Sequence, residues 1–212
     1  MAHNLELLIA TRNPGKVREV SSLISLVPRL HNRLRLRSLA DFPAVPEAPE
    51  SHATFRENAV EKARFYAAHT HLVALADDSG LEVASLKGDP GVHSARYGGT
   101  HLTDAERVQL LLREMKAARV NDRRARFVCV IAIADPVSDR ELEAFGCCAG
   151  HIASAPRGEQ GFGYDPVFIP SGYLQTFAEL APNLKDRLSH RGQAMTLASQ
   201  LLVEFFGQTS VP

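Results

Sequence analysis

The stretch VALADDSGLEV, Val73 to Val83, decides how the chain is read. Small and β-branched apolar residues run from Val73 to Ala76 into two adjacent carboxylates, Asp77 and Asp78. Ser79 and Gly80 follow, and the chain turns apolar again at Leu81 and Val83. An apolar run bounded by a Gly turn has the pattern of a strand inside a sheet. The sequence therefore predicts a buried strand whose end delivers acidic groups to a rim. Neighbouring carboxylates repel unless positive charge sits beside them, and a hard divalent cation takes such oxygen ligands. The other reading is a polar turn between strands, because Asp, Ser and Gly are common turn formers. The stretch alone leaves both open.

The rest of the chain narrows the class. With 212 residues it is long enough for a sizeable core in one domain, 1–212, with or without a small lobe. A hydrophobic content of 45% and a charged content of 23% are those of a soluble globular protein. A formal net charge of zero argues against gripping nucleic acid by bulk charge. Three cysteines, two of them adjacent (Cys129, Cys147, Cys148), give neither a disulfide framework nor a zinc spacing. They read as buried thiols in a reducing compartment. The N-terminal MAHNLELLIATRN has too short an apolar part for a secretory signal. No apolar run approaches the roughly 20 residues that span a bilayer. The expectation is a cytoplasmic protein without a membrane or nucleic-acid partner.

Around the central stretch, strands and helices alternate. Leu5 to Ala10 reads as a first strand, and Val17, Val20, Leu23, Ile24 and Val27 have helical spacing. Between them lies Thr11-Arg12-Asn13-Pro14-Gly15-Lys16. A strand, a Gly-containing loop and a helix start can aim backbone N–H groups at an anion, with Lys16 adding a point charge for phosphate. The spacing is not that of a Walker A loop, and a plain βα connection with a Pro-Gly turn gives the same pattern. Arg29 to Arg37 alternates like a strand with one wet face, Phe42 to His52 is a Pro-rich loop carrying Glu47 and Glu50, and Arg119 to Arg126 is a charged turn. Thr54 with Glu57, and Thr103 with Glu106, are capping boxes that open helices. The first of these helices buries Phe55, Ala59, Ala63 and Tyr66, and leaves Lys62 and Arg64 for solvent or a site. Phe127 to Ala134 is apolar enough for a central strand buried on both faces, and Leu142 to Ile152 reads as its antiparallel neighbour. Gly158 to Phe168 is Gly-rich with Phe162, Tyr164 and Phe168. Such aromatics stack on a flat base or plug the rim of a core. Thr176 to Leu180 is a short capped helical piece, Lys185, Arg187, His190 and Arg191 form a basic cluster suited to a base carbonyl or a phosphate, and Ala194 to Phe206 is a last amphipathic helix.

Six pieces together resemble the inosine/xanthosine triphosphate pyrophosphatases: IATRNPGKVREV (Ile9 to Val20), TFRENAVEKAR (Thr54 to Arg64), ADDSGLEV (Ala76 to Val83), PGVHSARYGG (Pro90 to Gly99), GFGYDPVF (Gly161 to Phe168) and SHRGQA (Ser189 to Ala194). The resemblance covers nearly the whole chain. It implies an α/β fold, a long mixed β-sheet flanked by helices, in two lobes with a nucleotide cleft between them. It implies magnesium-dependent hydrolysis of ITP, dITP and XTP to the monophosphate and pyrophosphate, by a homodimer. Carried over to this chain, Thr11, Arg12, Asn13, Pro14, Gly15 and Lys16 would hold the triphosphate, with Lys62 a further phosphate contact. Asp78 would be the proton acceptor and, with Glu50, a Mg2+ ligand. Ser79, Phe162, Gly163, Tyr164 and Asp165 would touch the substrate, Phe162 by stacking on the purine. Lys185, His190 and Arg191 would read the oxygen at position six of the base, where the amino group of adenine would meet donor against donor.

Two departures stand out. Where the family has an acidic pair followed by a small residue and Gly, this chain has Pro49-Glu50-Ser51-His52, so Glu50 alone aligns as a carboxylate and Glu47 is held in reserve. His93 stands where the family often has Tyr. The alternatives are a pyrophosphatase for another damaged base, such as a modified pyrimidine, a non-catalytic nucleotide sensor, and a nucleic-acid-binding module.

Overall fold

Ordered by hydrogen bonding, six strands form one sheet, β2-β1-β3-β4-β5-β6, in a computed structural model that describes residues 5–31, 33–118, 121–138 and 140–208. The strands are β1 (Leu5–Ile9), β2 (Leu34–Ser38), β3 (Val73–Val83), β4 (Arg124–Ala134), β5 (Glu141–Ile152) and β6 (Phe168–Pro170). The helices are α1 (Pro14–Ser25), α2 (Pro28–His31), α3 (Phe55–Thr70), α4 (Asp104–Ala117), α5 (Pro182–Leu188) and α6 (His190–Gln208). Strand β1 pairs in parallel with both β2 and β3, whereas β5 and β6 are antiparallel. The sheet is mixed and flanked by helices, as expected of an α/β fold.

The chain divides into two compact units. One holds the chain up to Asp78, Cys129–Gly146 and the chain from Arg191; the other holds Ser79–Val128 and Cys147–His190. In the first unit, Leu7, Ile9, Leu75, Ile131 and Ile133 from the strands pack with Val20 and Ile24 of α1 and with Met195, Ala198 and Leu202 of α6. Leu7, Leu8 and Ile9 are all buried, the mark of a parallel strand covered on both faces. In the second unit, Leu81 and Val83 pack with Val108, Leu111 and Met115 of α4 and with Phe127, Phe168 and Phe177. The Phe127 and Phe168 rings are 4.7 Å apart and the Phe168 and Phe177 rings 5.0 Å apart, giving this core an aromatic centre.

Several boundaries differ from the expectation for local reasons. The ADDSG segment is neither a strand end nor a turn: β3 runs through it to Val83. Helix α1 starts at Pro14, three residues before the periodic pattern, because Asn13 caps it and Pro is already shaped for the first helical position. The Arg29 to Arg37 segment is not one strand: Pro28 opens the single turn of α2, which buries Leu30, and the strand begins only at Leu34. Helix α6 starts at His190, so half of the basic cluster sits in its first turn. Both expected capped helices are present; at α4, Thr103 and Glu106 complete a reciprocal box. The piece after Thr176 is a 3-10 turn, Phe177–Glu179, capped by Thr176 and Glu179. Residues 1–4 of the N-terminal segment, and Arg119 and Val120 of the charged turn, lie outside the described residues.

Candidate active site

A strand sends successive side chains to opposite faces, and β3 does this to its two carboxylates. Asp77 meets cations from α1 and α6. Lys16 Nζ lies 2.9 Å from Asp77 Oδ2, and Arg191 donates to the same oxygen from Nη2 at 3.2 Å and Nε at 3.3 Å. Arg191 also donates to Glu19 from Nη1. Asp78 meets α3 instead. Asn58 Nδ2 donates to Asp78 Oδ2 at 3.1 Å, and Lys62 Nζ lies 3.6 Å from Asp78 Oδ1.

These surroundings separate the acidities of two adjacent, buried groups. Burial pushes the Asp77 carboxyl up, but Lys16 and Arg191 outweigh it and hold the group well below the usual carboxylate range. For Asp78, burial dominates; Lys62 and Lys16 offset only part of it, and its carboxyl is raised. Asp77 is thus a permanent counter-ion, and Asp78 is the more basic of the pair. Sites that do acid–base chemistry commonly split the acidities of neighbouring groups in this way.

Lys62 joins a second carboxylate to Asp78. Its ammonium lies 2.7 Å from Glu50 Oε1, and both of its carboxylate neighbours raise its pKa against the effect of burial. Glu50 sits in the loop before α3, bracketed two residues away on either side: Ala48 N donates to Tyr66 Oη at 3.1 Å, and His52 N donates to Asn58 Oδ1 at 3.0 Å. Both loop carboxylates are exposed, and Glu50 is the one that meets Lys62 beside Asp78. Among the described residues no three His, Cys, Asp or Glu side chains gather as a metal site. Two carboxylates converging on one ammonium nevertheless fit magnesium, a hard cation commonly held by one or two carboxylates, water and substrate phosphates.

The loop Thr11 to Lys16 is in place, but the backbone amides of Thr11, Asn13, Gly15 and Lys16 are already engaged. Asn13 Oδ1 accepts from Gly15 N at 2.8 Å and Lys16 N at 3.2 Å, and Thr11 Oγ1 accepts from Asn13 N at 3.2 Å. Pro14 has no N–H. Arg12 reaches the carbonyl of Val45 at 2.7 Å. What this loop offers an anion here is chiefly side chains, Lys16 foremost, rather than the amide cradle expected from the sequence.

In the second unit, Asp165 organises the Gly-rich loop. Its Oδ2 accepts from Phe162 N at 2.8 Å and from Lys185 Nζ at 2.7 Å. That ammonium also lies 5.2 Å from the Phe162 ring centroid, within cation–π range. Gly161 has φ +79, and a Cβ there would lie 2.0 Å from Asp165 Oδ2. Gly163 N donates to Asp104 Oδ2 at 2.8 Å, and Tyr164 Oη donates to the Ser94 carbonyl at 3.0 Å. Ser94 Oγ in turn accepts from Leu81 N at 2.8 Å, so the PGVHSARYGG segment braces β3 just beyond Ser79, which is half-buried. His190 is buried and stacks on Phe127 at 4.6 Å, with 9° between the planes. Lys185 therefore stands by Phe162, His190 lies in the aromatic core, and the Arg191 guanidinium is taken up by Asp77 and Glu19.

The Ham1 family profile matches residues 7–201. The chain belongs to the Ham1 family. Within it, a dITP/XTP pyrophosphatase of Geobacillus kaustophilus is 44% identical over 202 residues, covering 95% of this chain and 96% of the relative. Another, from Coxiella burnetii, is 43% identical over 203 residues, covering 95% and 98%. Among solved structures, a HAM1 protein from Coxiella burnetii superposes with a TM-score of 0.84 at 43% identity, over 94% of this chain and 99% of that one. The Staphylococcus aureus Ham1 protein does so with a TM-score of 0.80 at 34% identity, over 93% and 97%. The mixed sheet described above is thus the Ham1 fold.

Sequence reasoning missed Asn58, Tyr66, Glu19, Ser94 and Asp104. A signal for one of them was available. Asn58 falls at the helical spacing of the stripe Phe55, Ala59, Ala63 and Tyr66, and so does Lys62, which is buried on that face rather than left off it; polar residues on a buried face must meet partners.

Proposed function

We propose that this Ham1 chain hydrolyses non-standard purine nucleoside triphosphates, dITP, ITP and XTP, to the monophosphate and pyrophosphate with Mg2+. The observation that carries the reading is the split of Asp77 and Asp78. One is an ionised anchor for Lys16 and Arg191; the other is a raised, buried base beside Lys62 and Glu50. The relatives' names support the substrate class.

Asp78 takes the proton of the attacking water as its oxygen bonds to phosphorus, and the bond from that phosphorus to the α,β-bridging oxygen breaks. Lys16 and Lys62 balance the negative oxygens around the reacting phosphorus. Asp78 and Glu50 would hold Mg2+, which supplies further charge neutralisation and orients the phosphates. Phe162 stacks on the base. Lys185, oriented by Asp165, donates to an oxygen at position six; an ammonium cannot accept, so the amino group of adenine is refused. His190 supports this side of the site through its stack on Phe127. The family resemblance supports a cytoplasmic homodimer; among the described residues no helix is long and apolar enough to cross a membrane.

The test is pyrophosphate release from dITP, ITP, XTP, ATP and GTP, with Mg2+ and with EDTA. We expect turnover of the first three, little of ATP and none with chelator; little turnover of GTP, whose base also carries an oxygen at position six, is expected from the family resemblance alone. Equal turnover of ATP, or turnover that survives EDTA, would overturn the reading.

A further inference from the structure

We infer that Asn58 is a positioning residue, fixing the spacing of Asp78 and Glu50, the two residues that would hold the metal, by holding Asp78 Oδ2 so that Oδ1 is turned to Lys62. The inference rests on the function proposed above and assigns a role to a residue outside the expected set.

The argument starts from burial. Asn58 is 1% exposed, and a buried amide must spend all its hydrogen-bonding groups on protein. It does so at two places. Its Oδ1 accepts from His52 N at 3.0 Å, while Nδ2 donates to His52 O at 3.3 Å and to Asp78 Oδ2 at 3.1 Å. The two bonds to the His52 backbone fix which end of the amide is oxygen, so the remaining N–H must point at Asp78. One Asp78 oxygen is thereby held, and the other is turned to Lys62 at 3.6 Å.

The same amide also sets the Glu50 loop. His52 lies two residues beyond Glu50, and Asn58 closes that backbone onto α3 as Tyr66 closes Ala48 on the other side. One rigid side chain thus ties both prospective ligands to the same helix turn. Residues that orient metal ligands in this way typically matter by about 10–100-fold in metal affinity or activity.

The experiment compares the native protein with Asn58→Asp and Asn58→Ser. Asn58→Asp keeps the shape but turns a donor into an acceptor facing Asp78. Asn58→Ser cannot span both partners and introduces no charge, so it remains informative if the first variant fails to fold. Three readouts are needed: Mn2+ binding from the loss of the free-ion EPR signal, kcat and KM for dITP across a Mg2+ titration, and the urea unfolding midpoint. We expect Asn58→Ser to bind Mn2+ about tenfold more weakly and to lose about 10–100-fold in kcat, with KM for dITP within about threefold of native. Higher Mg2+ should restore part of the loss. A variant that is merely less stable, with native Mn2+ binding and native kcat where it is folded, overturns the inference. If the native protein releases no pyrophosphate, the proposed function fails, and the Mn2+ comparison still judges Asn58 by itself.

Discussion

Lys185 Nζ and Asp165 Oδ2 lie 2.7 Å apart, both side chains are nearly buried, and the ammonium stands 5.2 Å from the Phe162 ring centroid. The carboxylate therefore aims the cation at the place where a base would stack. Removing one partner of a buried pair costs about 3–5 kcal/mol because it strands the other charge. Asp165→Asn keeps an acceptor for Phe162 N, so its loss should fall at the low end, about 3 kcal/mol in urea unfolding. With Lys185 no longer steered, KM for dITP should rise more than kcat falls, and the preference for dITP over dATP should shrink in paired kinetic assays.

Gly161→Ala tests the same geometry from the backbone. The residue has φ +79, and its Cβ would lie 2.0 Å from Asp165 Oδ2, a group held from two sides. The left-handed backbone alone costs a non-Gly residue roughly 1–2 kcal/mol. The variant should unfold at lower urea and show the same KM defect as Asp165→Asn. Native KM would mean that the Asp165 position has no bearing on substrate.

Asp78→Asn should cut pyrophosphate release by on the order of 10²–10⁴-fold, the usual contribution of a general base. Its stability should not fall, because burial already works against the charged form of this carboxylate. Single-turnover kinetics and a urea melt separate these two effects. A variant that loses activity in proportion to a loss of folded protein would remove Asp78 from the chemistry.

Arg191→Gln should act in the opposite way, chiefly on stability. The guanidinium is buried between Asp77 and Glu19, and Gln leaves both acids short of a cation, although Lys16 remains on Asp77. We expect a loss of about 3–5 kcal/mol, read as a lower urea midpoint with unchanged slope. Arg191→Lys should recover little of it, since a point charge cannot bridge two carboxylates as a fork does.

The thiols should be inert in the native state. Burial pushes Cys129 up to about 12 and Cys148 up to about 11, and also raises Cys147. A thiol-disulfide exchange reagent at pH 8 should react slowly with the folded protein and quickly with all three cysteines in urea. Rapid labelling of Cys129 in the native state would place it outside the core described here.

What the sequence could say tracked how local each feature is. The strand Leu5–Ile9, the strand from Phe127 to Ala134 and the capped helices after Thr54 and Thr103 follow from short-range patterns and are legible, although β4 starts three residues earlier, at Arg124, inside the expected charged turn. The site was legible as residue types, through motifs, but not as pairings. Arg191 meets Asp77 across 114 positions and Glu19 across 172, and no local pattern encodes such a contact. The basic cluster read as one unit because its members are neighbours in sequence; the start of α6 then carries Arg191 to Asp77. Nor could the amides of the Thr11 to Lys16 loop be read correctly, because Asn13 serves as a loop residue in the sequence and as their acceptor in space.

Since β3 alternates sides at every residue, the chemistry of Asp77 and Asp78 depends on a count rather than on a composition. Deleting one residue between Val73 and Ala76, with the pairing of Leu7 to Val73 kept, would shift the acids one place along the strand and trade their faces. The carboxylate now steadied by Lys16 and Arg191 would face α3, and the one now raised beside Lys62 would be quenched. Every residue of the proposed site would still be there, in the same order, and the proposed base would have lost its surroundings. Along these few residues this chain has no freedom of length, and substitutions are the only edits that keep each acid on its own face of β3.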